Sequence, residues 1–187
     1  MMRLFILSLV CLLAACTNLP ENGSPRAWLK PGVRVSLPAP GITPAINEQQ
    51  LLTATVKGKQ QSLIVLLNAS EDQLSLAGLS SLGIRLFKLT YDHNGIHSEQ
   101  SLVLPEIPPA SQVLADIMLS YWPVSSWLPL LPEGWTLQDT DNIRQLHDNK
   151  GHLITEIQYD TQNGRRYPIH VRQFIFGYDI AIQHLEE

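Results

Sequence analysis

Two hydrophobic periods divide this chain, and their distribution admits few folds. Over most of its length apolar residues alternate with polar ones, the period of a strand with one buried face. Leu52, Ala54 and Val56 share one side, with Thr53, Thr55 and Lys57 on the other. Gly58 turns the chain into a more fully apolar run at 63–67, and Leu74, Leu76 and Gly78 make a third strand. Phe87, Leu89 and Tyr91 belong to a fourth, which turns at Asp92-His93-Asn94-Gly95 into a short fifth ending near Leu104. After Trp135 the alternation resumes at 136–139, 143–147, 153–159, 169–176 and 178–184, with turn residues between.

Between these two stretches the period lengthens. Pro108-Pro109 closes the first strand region and suits a helix start. From 111 to 122, Val113, Leu114, Ile117, Met118, Tyr121 and Trp122 fall on one broad arc, and Gln112, Asp116 and Ser120, four apart, mark a polar stripe. Pro123 ends this helix, and 124–131 makes a short second one stopped by Pro132-Glu133-Gly134. About nine to eleven strands with one helical insertion, 109–131, do not match a repeating strand–helix–strand plan. They predict a mainly β (α+β) fold: a single curved antiparallel sheet, a half-barrel, with a helical lid over its concave face. Such a sheet either packs a solid core or encloses an apolar cavity.

The N-terminus follows a different rule. Met1-Met2-Arg3, an apolar run over 4–13 and Ala14-Ala15-Cys16 form a secretory signal, too short for a membrane span in the mature protein. Leu13-Ala14-Ala15-Cys16 resembles a bacterial lipobox, whose Cys thiol receives a diacylglycerol before the chain is cut ahead of it and the new amine acylated. Residues 1–15 are therefore expected to be cleaved, 16–32 to be a lipidated Cys16 with a flexible tether, and 33–187 to be the folded domain. Pro20, Pro25 and Pro31 with Asn22-Gly23-Ser24 mark the tether, although Trp28 and Leu29 are candidates to dock on the domain. Several acyl chains would hold the protein on a membrane almost irreversibly. Thr17, where such lipoproteins carry Asp for inner-membrane retention, points to the outer membrane. Cys11 would leave with the signal, so the mature domain would have no thiol for a disulfide or a metal.

Only 16% of the chain is charged and 44% is apolar, which suggests apolar surface beyond the needs of a closed core. Removing Arg3 with the signal leaves twelve Lys and Arg against seventeen Asp and Glu, with no basic run, which argues against nucleic acid as a partner. No nucleophile elbow, phosphate loop or zinc-protease motif is present, so no enzyme activity, cofactor or metal is expected. His93 and His97 flank a turn, as do His147 and His152, rather than sharing a helix face. Asp139-Thr140-Asp141-Asn142 lacks the Gly and distal Glu of a calcium loop, and Arg165-Arg166 follows the Asn163-Gly164 turn as a solvated rim.

Segment 74–87, the Trp122-Pro123-Val124 and Leu131-Pro132-Glu133-Gly134-Trp135 stops and the closing Gly177-Tyr178 resemble an uncharacterised family of bacterial outer-membrane lipoproteins, often encoded with aryl polyene biosynthesis genes. The order of elements is more distantly similar to LolB, the outer-membrane receptor for lipoproteins, and to its periplasmic carrier LolA. That resemblance implies a role for Ser80-Ser81-Leu82-Gly83: Leu82 falls on the exposed Leu of a Pro-Leu-Gly loop with which LolB passes lipoprotein into the membrane, and Ser81 replaces the Pro. Leu82 is thus either a membrane-insertion tip or a residue tucked into the sheet edge. The resemblance likewise implies that Met118, Tyr121, Trp122, Trp127, Leu128, Leu130 and Leu131 form the inner face of the lid, with Phe87 and Leu89 also lining a cavity; plain core packing would produce the same stripe. The expected function is binding or transfer of a lipid or acylated cargo, such as an aryl polyene lipid, at the outer membrane, with a LolA-like carrier as a further partner. The alternative is a scaffold lipoprotein with a packed core and a protein partner.

Overall fold

The computed structural model describes residues 24–100 and 108–185; the expected signal segment, Cys16 and the first part of the expected tether lie outside them, as does the end of the fifth expected strand. Along the chain run β1 (Arg26–Lys30), β2 (Val33–Ser36), β3 (Ile46–Val56), β4 (Lys59–Ala69), β5 (Leu74–Leu79), β6 (Arg85–Asp92) and β7 (Gly95–Gln100). Helix α1 (Ala110–Tyr121), the single turn α2 (Val124–Trp127) and a 3-10 turn at Leu128–Leu130 follow. Then come β8 (Thr136–Asp139), β9 (Ile143–His147), β10 (Leu153–Gln162), β11 (Arg165–Gln173) and β12 (Tyr178–Leu185).

Ten strands make one sheet in the order β7-β6-β5-β4-β3-β12-β11-β10-β9-β8, each neighbour antiparallel. The two stretches of alternation in the sequence are two meanders, β3 to β7 and β8 to β12. They are joined where the last strand returns to the first: β12 pairs with β3 from Tyr178 opposite Val56 to Leu185 opposite Gln49. The sheet is open, with β7 and β8 as its edges. Period-2 side chains place one face inward: Leu74 and Leu76 on β5, Phe87, Leu89 and Tyr91 on β6, and Val65 and Leu67 on β4 are buried. The helical segment covers that face as the sequence pattern predicts.

Two features depart from the expected boundaries. β1 and β2 pair as a separate hairpin, with Ala27 and Leu29 fully buried, so the folded part begins inside the expected tether. Leu29 docks, whereas Trp28, on the other side of the strand, is exposed. The strand expected over 169–176 ends at Gln173, because residues 174–177 form a turn closed by a 2.9 Å hydrogen bond from the Gly177 amide to the Gln173 carbonyl.

Helix α1 is held at its C-terminal end by a side chain from the sheet. Arg144 on β9, itself buried, donates from Nη1 to the carbonyls of Leu119 and Trp122, at 2.6 and 2.8 Å. Tyr159 on β10 donates to the Ser120 carbonyl at 2.8 Å. These bonds serve carbonyls that the end of a helix leaves without intrahelical partners, and the guanidinium opposes the negative end of the helix dipole.

Candidate apolar groove

A cavity of about 400 Å³ runs between α1 and the centre of the sheet. Its floor comes from strands in which every second side chain points up: Gln50, Leu52, Ala54 and Val56 on β3, Gln61, Leu63, Val65 and Leu67 on β4, and Tyr178, Ile180 and Ile182 on β12. Its roof is one face of α1 at helical spacing, Val113, Asp116, Ile117, Ser120 and Tyr121, with Phe87 and Pro108 at one side. Leu52, Leu63, Val113, Ile117, Ile180 and Ile182 are only half-buried, although they sit where the rest of this face is closed core. From Gln50 to Val56 the strand rises by six steps, roughly 20 Å. The volume lies within the roughly 300–1,000 Å³ of small-molecule sites.

One end of the groove is closed by a polar cluster. Tyr121 donates from its hydroxyl to Glu48 Oε2 at 2.6 Å, and Gln50 donates to the same hydroxyl and to Glu48. Arg165 donates to Glu48 Oε1 at 2.7 Å, and His184 Nδ1 lies 3.1 Å from Oε2. Burial pushes the Glu48 carboxyl up, but the His184, Tyr121 and Gln50 contacts outweigh it and hold it below the usual range. Burial likewise opposes the charge on His184, yet Glu48 raises its pKa above the ordinary value. Beyond this cluster lies a wider cleft of about 610 Å³ with a mostly polar lining, into which Glu48, Arg165 and His184 also face.

The roof carries one buried acid. Asp116 accepts from the Tyr178 hydroxyl at 2.5 Å, and Gln112 donates to that hydroxyl at 3.4 Å, but Asp116 Oδ1 has no partner. Burial pushes its pKa up to about 7, with the Tyr178 and Gln112 bonds pulling the other way. Burial, with the neighbouring Asp116, raises the Tyr178 hydroxyl in turn. Among the described residues no Lys or Arg lines the groove. Ser120 donates to the Asp116 carbonyl at 2.7 Å, which engages its hydroxyl locally.

Of the residues expected to line a cavity, Phe87 and Tyr121 do so. Met118, Trp122 and Trp127 do not; they are buried in the core, where the indole of Trp122 donates to the Ala39 carbonyl and that of Trp127 to the Met118 carbonyl. They occupy the neighbouring arc of the helical segment, directed into the packed part of the fold. Leu89 is also core, and it borders a smaller cavity of about 210 Å³ beside Phe87. Leu128 is 54% exposed on the 3-10 turn, and Leu130 and Leu131 are half-buried. Leu82 is 84% exposed at the β5–β6 turn, where the Ser80 hydroxyl accepts from the Leu82 and Ile84 amides.

Of the expected rim, Arg165 is exposed and Arg166 half-buried, and both are engaged in ion pairs. The first pairs with Glu48; the second donates to both oxygens of Asp139 and lies 3.4 Å over the Tyr159 ring. His93 and His97 stand at the β6–β7 turn, and among the described residues no three His, Cys, Asp or Glu gather as a metal site. The sequence reading missed Ile180, Ile182 and the β3 and β4 residues as lining. Their alternation was visible, but a strand's own pattern does not show whether its inward face meets core or empty space.

A search of curated proteins finds no match to this chain. Residues 47–186, which take in the helical cover and the whole ten-stranded sheet except the first residue of β3, match the family described as "Protein of unknown function (DUF3261)", and the chain belongs to that family.

Proposed function

We propose that the protein is a lipid-anchored envelope protein whose groove holds the acyl chain of a lipid or acylated cargo at the outer membrane. The observation that carries this reading is the groove itself: about 400 Å³ of largely apolar space beside the sheet centre, with no Lys or Arg among its described lining residues to match an anionic solute. Water gains little from so apolar a surface, and an acyl chain laid along β3 would bury both the floor and the roof. The lipobox-like N-terminus supports the membrane location, and the resemblances to LolB and to the aryl polyene lipoproteins suggest an acylated protein or an aryl polyene lipid as cargo. On this reading the protein moves its cargo without chemical change, and a LolA-like carrier is the natural donor.

A fluorescent long-chain fatty acid tests the groove. The probe is expected to bind saturably, and Ala54→Trp, which fills the floor from a half-buried position, is expected to weaken it at least tenfold while the protein still melts cooperatively. Absence of binding to the unsubstituted chain favours the scaffold reading.

A further inference from the structure

Three large apolar residues stand together at the tip of a turn. Phe174, Ile175 and Phe176, between β11 and β12, are 43%, 39% and 36% exposed. Gly177, at φ 68°, completes this tight turn in a conformation that L side chains rarely adopt. A run of three exposed apolar residues is unfavourable in water unless it serves an interaction.

The sheet register identifies what surrounds them. Tyr178 pairs with Val56, so the β3–β4 turn with Lys57, Gly58 and Lys59 is the neighbour on one side. Gln173 pairs with Thr155, so the β9–β10 turn with Lys150 is the neighbour on the other. All three lysines are exposed. The carboxylates nearby are already paired: Asp179 accepts from Arg172 at 2.7 Å, and the buried Asp148 accepts from Lys30 at 2.8 Å. The guanidinium of Arg172 also lies 5.7 Å from the centre of the Phe174 ring. An aromatic and aliphatic tip between lysine-bearing turns is complementary to a surface that is apolar below and anionic above.

We propose that the β11–β12 turn inserts into the surface of an anionic bilayer, with Lys57 and Lys150 against its headgroups. Val56 and Tyr178, the strand residues that border this end, both line the groove, so the turn would bring that end of the groove to the membrane. The β5–β6 turn carrying Leu82 points the same way along the strands but is set back. Leu79 pairs with Ile64 and Ile64 with Leu51, five positions before Val56, or roughly 16 Å of strand. Membrane contact by the turn does not depend on what the groove holds, so each can fail without the other.

The test uses the full chain reconstituted into vesicles of phosphatidylcholine and phosphatidylglycerol, with a share of the phosphatidylcholine brominated in its acyl chains. With Ile175→Trp, the added indole is expected to emit to the blue and to lose most of its emission to the brominated lipid, beyond the quenching of the unsubstituted chain. Adding Lys57→Glu and Lys150→Glu is expected to abolish that extra quenching. Leu82→Trp in the same vesicles is expected to be quenched less than Ile175→Trp. The proposal is overturned if the indole at 175 stays unquenched, whether it remains open to water or is covered by a protein partner. Quenching that survives both charge reversals, or that is stronger at 82 than at 175, overturns it equally.

Discussion

Asp116 is a buried acid whose surroundings change its chemistry. Its carboxyl has a folded pKa of about 7 against an ordinary value of 3.8, because burial opposes its charge. The folded chain therefore holds this proton more tightly than the unfolded chain. The sign follows: the stability this group contributes is present in full below pH 4 and is lost as pH rises towards 7, above which the curve is flat. Asp116→Asn should remove that slope and leave a protein at least as stable as the parent at pH 8; denaturant titrations at pH 5, 6, 7 and 8 measure both. A variant with the parent's slope would show that the acid is not held neutral. Leu82 offers a plainer case. Being exposed, Leu82→Glu should shift stability by no more than about 0.5 kcal/mol. A large fall in melting temperature would mean that the side chain packs.

At the scale of elements, the strands and the helix were legible because their periods are regular over several residues. The alternation at 52–56 and 87–91 and the 3.6 period over 111–122 depend only on which face is inward. Less was legible where tertiary pairing decides. β1 is five residues long in a proline-rich stretch, and only its burial against the domain, Ala27 and Leu29 included, makes it a strand. The aromatic and methionine stripe on the helical segment marked a buried face correctly but could not separate core from groove. Trp122 and Trp127 went to the core because each indole finds a carbonyl there, while the smaller Val113 and Ile117 roof the groove. Arg144, unnoticed in the sequence, joins the helix to the sheet. Arg144→Ala should cost about 3–5 kcal/mol by leaving buried carbonyls unpartnered, measured by denaturant unfolding. The exposed Arg85→Ala should cost almost nothing, and equal losses would refute the role assigned to Arg144. Gly78 joins β5 to the groove: a Cβ there would run into the Phe87 ring. Gly78→Ala should therefore cost about 1–3 kcal/mol and weaken probe binding, since Phe87 lines the cavity. Unchanged affinity would place the displaced ring elsewhere.

For the whole molecule, the two meanders and their helical cover leave a groove that runs from the Glu48 cluster towards the turns at 57–58 and 174–177. Among the described residues no helix is long and apolar enough to cross a membrane, so the proposed attachment rests on Cys16 and on surface turns. Cys16→Ser should block acylation and leave the protein uncleaved or mislocalised; palmitate labelling followed by fractionation checks this, and a parent chain that takes no label would contradict the anchor. Whether the groove holds an acyl chain is decided by extraction and mass spectrometry of lipid carried by the purified protein. An acyl lipid is expected in near-stoichiometric amount with the unsubstituted chain and is expected to be lost from a folded Ala54→Trp variant. A chain purified free of lipid that takes none up, or lipid retained in equal amount by the variant, would contradict acyl binding in the groove.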